Sequence, residues 1–189
     1  MQSFSTSRLV LAAFLAITLA AAAEATPPLY QNSEYRFSVQ PPAGSKVHYL
    51  GNAGADTGFD ARTSDGNILY VRAEPSPTDQ LSEFAEEQAK AAAKVCGKNM
   101  QQSSSDTKLA GMPAMEMRFT CSSPDPNDLG QTRLVIVRFA INQLPVQTVV
   151  YTVGVITTTK RESRASQSYD SFAETFQLQG GQMHTDDPL

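Results

Sequence analysis

The side chains with soft, nucleophilic or metal-binding chemistry are few in this 189-residue chain: two cysteines, six methionines and two histidines. Cys96 closes a run, residues 80–96, whose apolar positions Leu81, Phe84, Ala85, Ala92 and Val95 recur at helical spacing. Cys121 closes an alternating run in which Met115, Met117 and Phe119 share its face. Both thiols therefore point toward one helix–sheet interface. A bridge between them is the reading expected of an exported chain with two cysteines, and a pair of buried free thiols is the alternative. The spacing is far from Cys-x-x-Cys, which argues against redox or metal use.

Met112, Met115 and Met117, with Met100 upstream, form the run best suited to a soft metal, since thioethers accept Cu(I). Met115 and Met117 fall two apart on one strand face, a spacing that could chelate. That face also carries Phe119 and Cys121, so core packing is the first reading and copper binding the alternative. His48 lies in a short strand and His184 in a polar tail. Neither accompanies a Gly-x-Ser-x-Gly elbow, and no Ser-His-Asp assembly is legible. Residues 125–130 begin like a calcium loop, then depart from it: Leu129 takes a ligand position and Ile136 stands where the closing glutamate belongs. No glycine loop fit to cradle a phosphate occurs. The chain reads as a non-enzyme without a cofactor. Asp56, Asp125 and Asp128, in loops at 51–58 and 122–130, are the candidate partner-binding residues, because loops on a rigid scaffold concentrate binding groups.

The elements that must position these groups begin after a processing signal. Arg8 precedes an apolar run at 9–23, and Ala23-Glu24-Ala25 offers the small residues a signal peptidase reads. The run falls short of the ~20 residues that span a bilayer as a helix. The expectation is a signal peptide at 1–25, one domain at 26–179 and a disordered tail at 180–189. Net charge is −4 with no basic block, which removes the electrostatic footprint of a nucleic-acid binder. Residues 132–159 read as two long strands, apolar on both faces and therefore covered on both sides, joined by a loop around Pro145. Before them come strands at 35–40, 46–50, 59–62 and 68–73, the helix at 80–96, a polar loop at 101–107 and a strand at 114–121. A second helix at 161–176 and a short strand at 177–179 follow. That order predicts an α+β fold: an antiparallel-rich sheet sandwiched by helices.

Tyr35-x-Phe37-x-Val39-x-Pro41-Pro42, the helix after Pro75-Ser76-Pro77, Leu109-Ala110-Gly111-x-Pro113-Ala114, the long hairpin and Tyr169…Phe172…Phe176-Gln177-Leu178 together resemble the PsbP-like family. That family is typified by an extrinsic subunit of photosystem II, and its fold is shared by a Ran-binding import factor and many exported bacterial proteins. The resemblance spans residues 35–178 and is one of element order. It implies an α/β/α sandwich and a non-enzymatic binding or assembly role, with the exported bacterial members most similar; it carries over no functional residue. The expected function is a periplasmic or secreted accessory protein whose partner is another exported or envelope protein. An inhibitor or immunity-type protein acting on a secreted enzyme, or a copper-binding protein, are the alternatives.

Overall fold

The computed structural model describes residues 25–51, 57–96, 100–122 and 132–180. The expected signal peptide and tail therefore lie, but for Ala25 and Gly180, outside the described residues.

The long hairpin is the centre of the molecule. Its strands, β8 (Thr132–Gln143) and β9 (Thr148–Thr158), follow β1 (Tyr30–Asn32), β2 (Phe37–Val39), β3 (Lys46–Tyr49), β4 (Thr57–Arg62), β5 (Ile68–Pro75), β6 (Gln101–Leu109) and β7 (Met112–Ser122), and precede β10 (Gln177–Leu178). The main sheet has seven strands in the order β3-β4-β5-β9-β8-β7-β6, antiparallel throughout. A second sheet, β1-β2-β10, has three. The helices are α1 (Leu81–Cys96) and α2 (Glu162–Glu174). The antiparallel-rich α+β class is as expected.

Because side chains alternate along a strand, β9 serves two cores. Val149, Tyr151, Val153 and Val155 pack with Leu134, Ile136 and the α2 residues Tyr169 and Phe172. Val150, on the opposite face, packs with Val137, Phe139, Met117, Phe119 and the α1 residue Phe84. The first core is the larger, because the small sheet closes it beside α2. Phe37 of β2 stacks on Phe176 at 5.3 Å and meets Tyr151 edge-on at 5.7 Å. The Tyr151 hydroxyl donates to the Tyr35 carbonyl at 2.6 Å, so this fully buried phenol is satisfied.

Three expectations are corrected. Residues 101–107 are not a loop: they belong to β6, which pairs with β7 along its length. An edge strand with both faces in water needs no apolar alternation, and positions 101–106 are all exposed. The connection to β7 is a two-residue turn in which Ala110 and Gly111 hold φ of 49° and 83°, the left-handed pair that suits strand twist. The segment before residue 35, for which no strand was expected, contributes β1, too short to show a period. The apolar stripe of α1 also stops early: Phe84 and Ala85 are buried, but Val95 is 73% exposed.

A candidate binding groove beneath helix α1

Helix α1 touches the sheet firmly near its two ends. Near its start, Phe84 meets Phe139 of β8 edge-on, ring centroids 5.3 Å apart. At its last residue, Cys96 is bonded to Cys121 of β7, with Cα atoms 5.1 Å apart. That separation is ordinary for a bridge. Sixteen helical residues measure about 24 Å, so the helix spans the strands beneath it like a beam. Its later groove-side residues are short: Ala92 packs against the core below it, Ala91 is exposed, and neither fills the space as a leucine would. A groove of about 560 Å³ remains under this half, floored by Val135 and Val137 of β8, Thr152 and Ile156 of β9, and Tyr70 and Arg72 of β5. Its size is that of small-molecule sites generally.

The polar end of the floor is built with care. Tyr70 and Gly154 are cross-strand partners. A Cβ at Gly154 would lie 2.4 Å from Cζ of Tyr70 and 2.5 Å from its hydroxyl oxygen, so only glycine lets the ring lie across β9. Burial pushes the Tyr70 phenol well above its ordinary value; Arg72 opposes that rise and Asp60 adds to it. The Arg72 guanidinium, 5.4 Å from the Tyr70 ring centroid, donates to the carbonyls of Phe59 and Val71 at 2.8 Å each and to the Asp60 carboxylate at 2.6 Å. Three of its five N–H groups are thereby used, and its charge is paired.

The other candidates fare differently. Met100, Met115 and Met117 belong to the core beneath α1, while Met112 packs against the core on the opposite side of the sheet. The methionine run is thus divided between two faces, since residues 112 and 115 differ by an odd number. His48 is exposed on β3, opposite Asp60 in register. Asp56, Asp125 and Asp128 lie outside the described residues. No group of three or more His, Cys, Asp and Glu side chains suited to a metal occurs among the described residues. A hollow of about 650 Å³ at Ser64, Asp65, Lys160, Arg161 and Arg164 is larger, but these residues are mostly exposed and charged, and the hollow offers little apolar floor.

One ion network escaped sequence reasoning. Arg138 of β8 binds Glu116 of β7 at 2.9 Å and Asp170 of α2 at 3.5 Å, with its guanidinium 5.4 Å from the Tyr169 ring centroid. Arg118 joins Glu116 at 3.2 Å to Glu162 at 3.3 Å. These contacts tie α2 to the far strands. The cross-strand pairing of Glu116 with Arg138 was the only available signal, and it needs the register to be known.

No family model and no curated protein matches the sequence. Solved structures do match. Cyanobacterial PsbP (CyanoP) from Synechocystis sp. PCC 6803 is 14% identical with a TM-score of 0.58, over 84% of this chain and 95% of that one. LpqN, described as involved in cell envelope biogenesis of Mycobacterium tuberculosis, is 10% identical with a TM-score of 0.58, over 80% and 90%. The Saccharomyces cerevisiae Ran-binding protein Mog1p is 13% identical with a TM-score of 0.52, over 82% and 96%. The fold is therefore PsbP-like, as the order of elements implied.

Proposed function

We propose that this chain is an exported, non-catalytic binding or accessory protein that holds its ligand in the groove beneath α1. The groove is the observation that carries the reading: a largely apolar floor, a helix held over it at both ends, and a few polar groups in the lining, Arg72, Glu74 and Arg133 among them. Export is supported by the leader read at 1–25, by the Cys96–Cys121 bridge, and by the envelope role stated for LpqN. No helix among the described residues is long and apolar enough to cross a membrane. The α/β/α layering belongs to the same reading, with α1 and α2 on opposite faces of the seven-stranded sheet. The partner is taken to be another exported or envelope component, with Asp56, Asp125 and Asp128 available as a second contact surface.

The test is recovery of the tagged mature chain from its native envelope, alongside two variants. Ala92→Trp fills the groove from the helix side; the triple Asp56→Asn, Asp125→Asn, Asp128→Asn change removes the loop charges. Loss of the co-purifying component with Ala92→Trp supports the groove. Loss with the triple variant alone moves the function to the loops and overturns the groove as its seat.

A further inference from the structure

The two edges of the seven-stranded sheet are guarded very differently. Strand β3, at one edge, has four residues and is too short to template much pairing. Strand β6, at the other, has nine, contains no proline and pairs with β7 in unbroken register without a bulge. Its first five residues, Gln101-Gln102-Ser103-Ser104-Ser105, carry no charge; Asp106 and Lys108 come only toward the turn. Positions 101–106 are exposed whichever face of the sheet they stand on. Natural sheets blunt a long edge with charge, a bulge, a proline or a covering element, because its outward backbone groups recruit another strand.

The hairpins show which backbone groups point outward. The turn at Ala110 and Gly111 makes Leu109 and Met112 a pair that exchanges hydrogen bonds. Alternation along β6 then turns Leu109, Thr107, Ser105, Ser103 and Gln101 toward β7, and Lys108, Asp106, Ser104 and Gln102 outward. The hairpin of β8 and β9 gives the same phase independently. Leu144 and Gln147 exchange backbone hydrogen bonds at 2.9 and 3.3 Å, which sets the alternation of β8 and, through β7, that of β6. Among the described residues the outward groups have a single partner: the Lys108 carbonyl accepts a long bond from Arg138 at 3.4 Å. That carbonyl keeps a second lone pair.

We infer that β6 pairs antiparallel with β6 of a second copy, about a two-fold axis at Ser105, joining the two seven-stranded sheets into one. The strand's own sequence selects that partner and that register. Centred on Ser105, all nine residues find a place, and every outward residue meets an outward residue: Gln102 faces Lys108, and Ser104 faces Asp106. That gives about eight intermolecular hydrogen bonds, two at each facing pair. No like charges stand opposite each other. Centring on Asp106 would set two aspartates face to face, and centring on Ser104 would leave Lys108 and Leu109 unpaired. The strip is about 30 Å long and about 10 Å deep on each copy, which places the dimer in the weak, reversible class. No residue of β6 lines the groove beneath α1, so the interface is separate from that site.

Sedimentation of the mature, oxidised chain across micromolar to millimolar concentrations should show a reversible monomer–dimer equilibrium. Ser104→Pro removes one outward N–H without touching the ladder to β7. It should weaken the dimer by about tenfold or more, since two hydrogen bonds are lost per dimer, and leave the fold of the dilute monomer intact. Ser105→Cys gives a second reading. Its two copies form a directly opposed, non-hydrogen-bonded pair with Cα atoms about 4.5 Å apart, within bridging distance. Air oxidation should link this variant into a covalent dimer far faster than Ser103→Cys or Thr107→Cys, which share its face but do not meet themselves. A chain that stays monomeric throughout, a dimer indifferent to Ser104→Pro, or linkage of Ser103→Cys as fast as of Ser105→Cys would each overturn the inference. If the chain stays monomeric while Ser104→Pro abolishes recovery of the native envelope component, the edge serves a strand of another protein and self-pairing is refuted. The groove stands or falls separately, on Ala92→Trp.

Discussion

Removing the Cys96–Cys121 bridge should destabilise the chain in a spatially uneven way. The cysteines are 25 residues apart, and closing a loop of that length restricts the unfolded chain by about 3.5 kcal/mol in the entropy model. In a domain of this size, that corresponds to a fall in Tm of roughly 7–14 °C. The folded state adds a local effect. Phe84 and Ala85 are the buried residues of α1, and both lie in its first half. Without the bridge, the half from Lys90 onward keeps only the half-buried Ala92 and Cys96 against the sheet. The double variant Cys96→Ala, Cys121→Ala should therefore lose hydrogen-exchange protection at residues 90–96 while residues 84–88 keep theirs. Urea unfolding of wild type and variant supplies the free energy, and exchange supplies the location. A loss below about 1 kcal/mol, or an even loss of protection along α1, would refute the two-anchor account.

Three further outcomes follow from the packing. Met117→Ala, at 4% exposure, should cost about 2–5 kcal/mol, and Met115→Ala, half-buried, clearly less; Cu(I) titration of the same variants decides between core and metal, since a core methionine leaves metal uptake unchanged. Gly154→Val should expel the Tyr70 ring and lower stability by more than about 3 kcal/mol, whereas Gly154→Val combined with Tyr70→Ala should recover part of it; additive losses would mean that the two residues do not share the space. The phenols of Tyr70, Tyr151 and Tyr169 are all pushed above the ordinary value of ~10 by burial. Their protonated forms favour folding, so this contribution is complete below about pH 10 and lost as pH rises toward their folded values. An ultraviolet titration should show these three ionising only as the chain unfolds, and early ionisation of all six tyrosines would contradict their burial.

Most of the architecture was legible because most of it is two-sided burial. The hairpin of β8 and β9 announces itself through apolar residues on both faces, and the turn at 64–67 through its Asp-Gly-Asn chemistry. Strand β6 was illegible for the opposite reason. Its pairing uses backbone groups alone, and Gln101-Gln102-Ser103-Ser104-Ser105-Asp106 carries no pattern that distinguishes an edge strand from a loop. The groove was hidden more deeply. Tyr70, Gly154 and Arg72 are ordinary strand residues in the sequence, and only the register between β5 and β9 sets the glycine under the ring. The cysteine pair, by contrast, could be placed because both of its elements were periodic. The end of α1 misled for a physical reason: Val95 continues the helical spacing, but the sheet beneath that turn is a groove rather than a packed layer.

That groove is maintained by small side chains, and this gives the most direct way to ask whether stability or binding selected it. Helix α2 covers its face with Tyr169 and Phe172, whereas the groove side of α1 presents Ala91 and Ala92. Ala92→Leu would add three carbons facing the floor without leaving the helix-forming residues. Burying them is worth up to about 2.4 kcal/mol at ~0.8 per methylene, less a few tenths for helix propensity and side-chain ordering. A net gain of about 1–2 kcal/mol is expected if the space is free to fill. A site kept open for a ligand shows this trade of stability against function. Chemical denaturation of Ala92→Leu reads the gain directly, and recovery of the native envelope component by the same protein reads the cost. A more stable variant that no longer binds is the expected pair of results. A destabilised variant would show that the helix already packs on the sheet at Ala92, so that added volume strains the core. In that case the space beneath α1 is not an available site, and the functional reading returns to the loops that carry Asp56, Asp125 and Asp128.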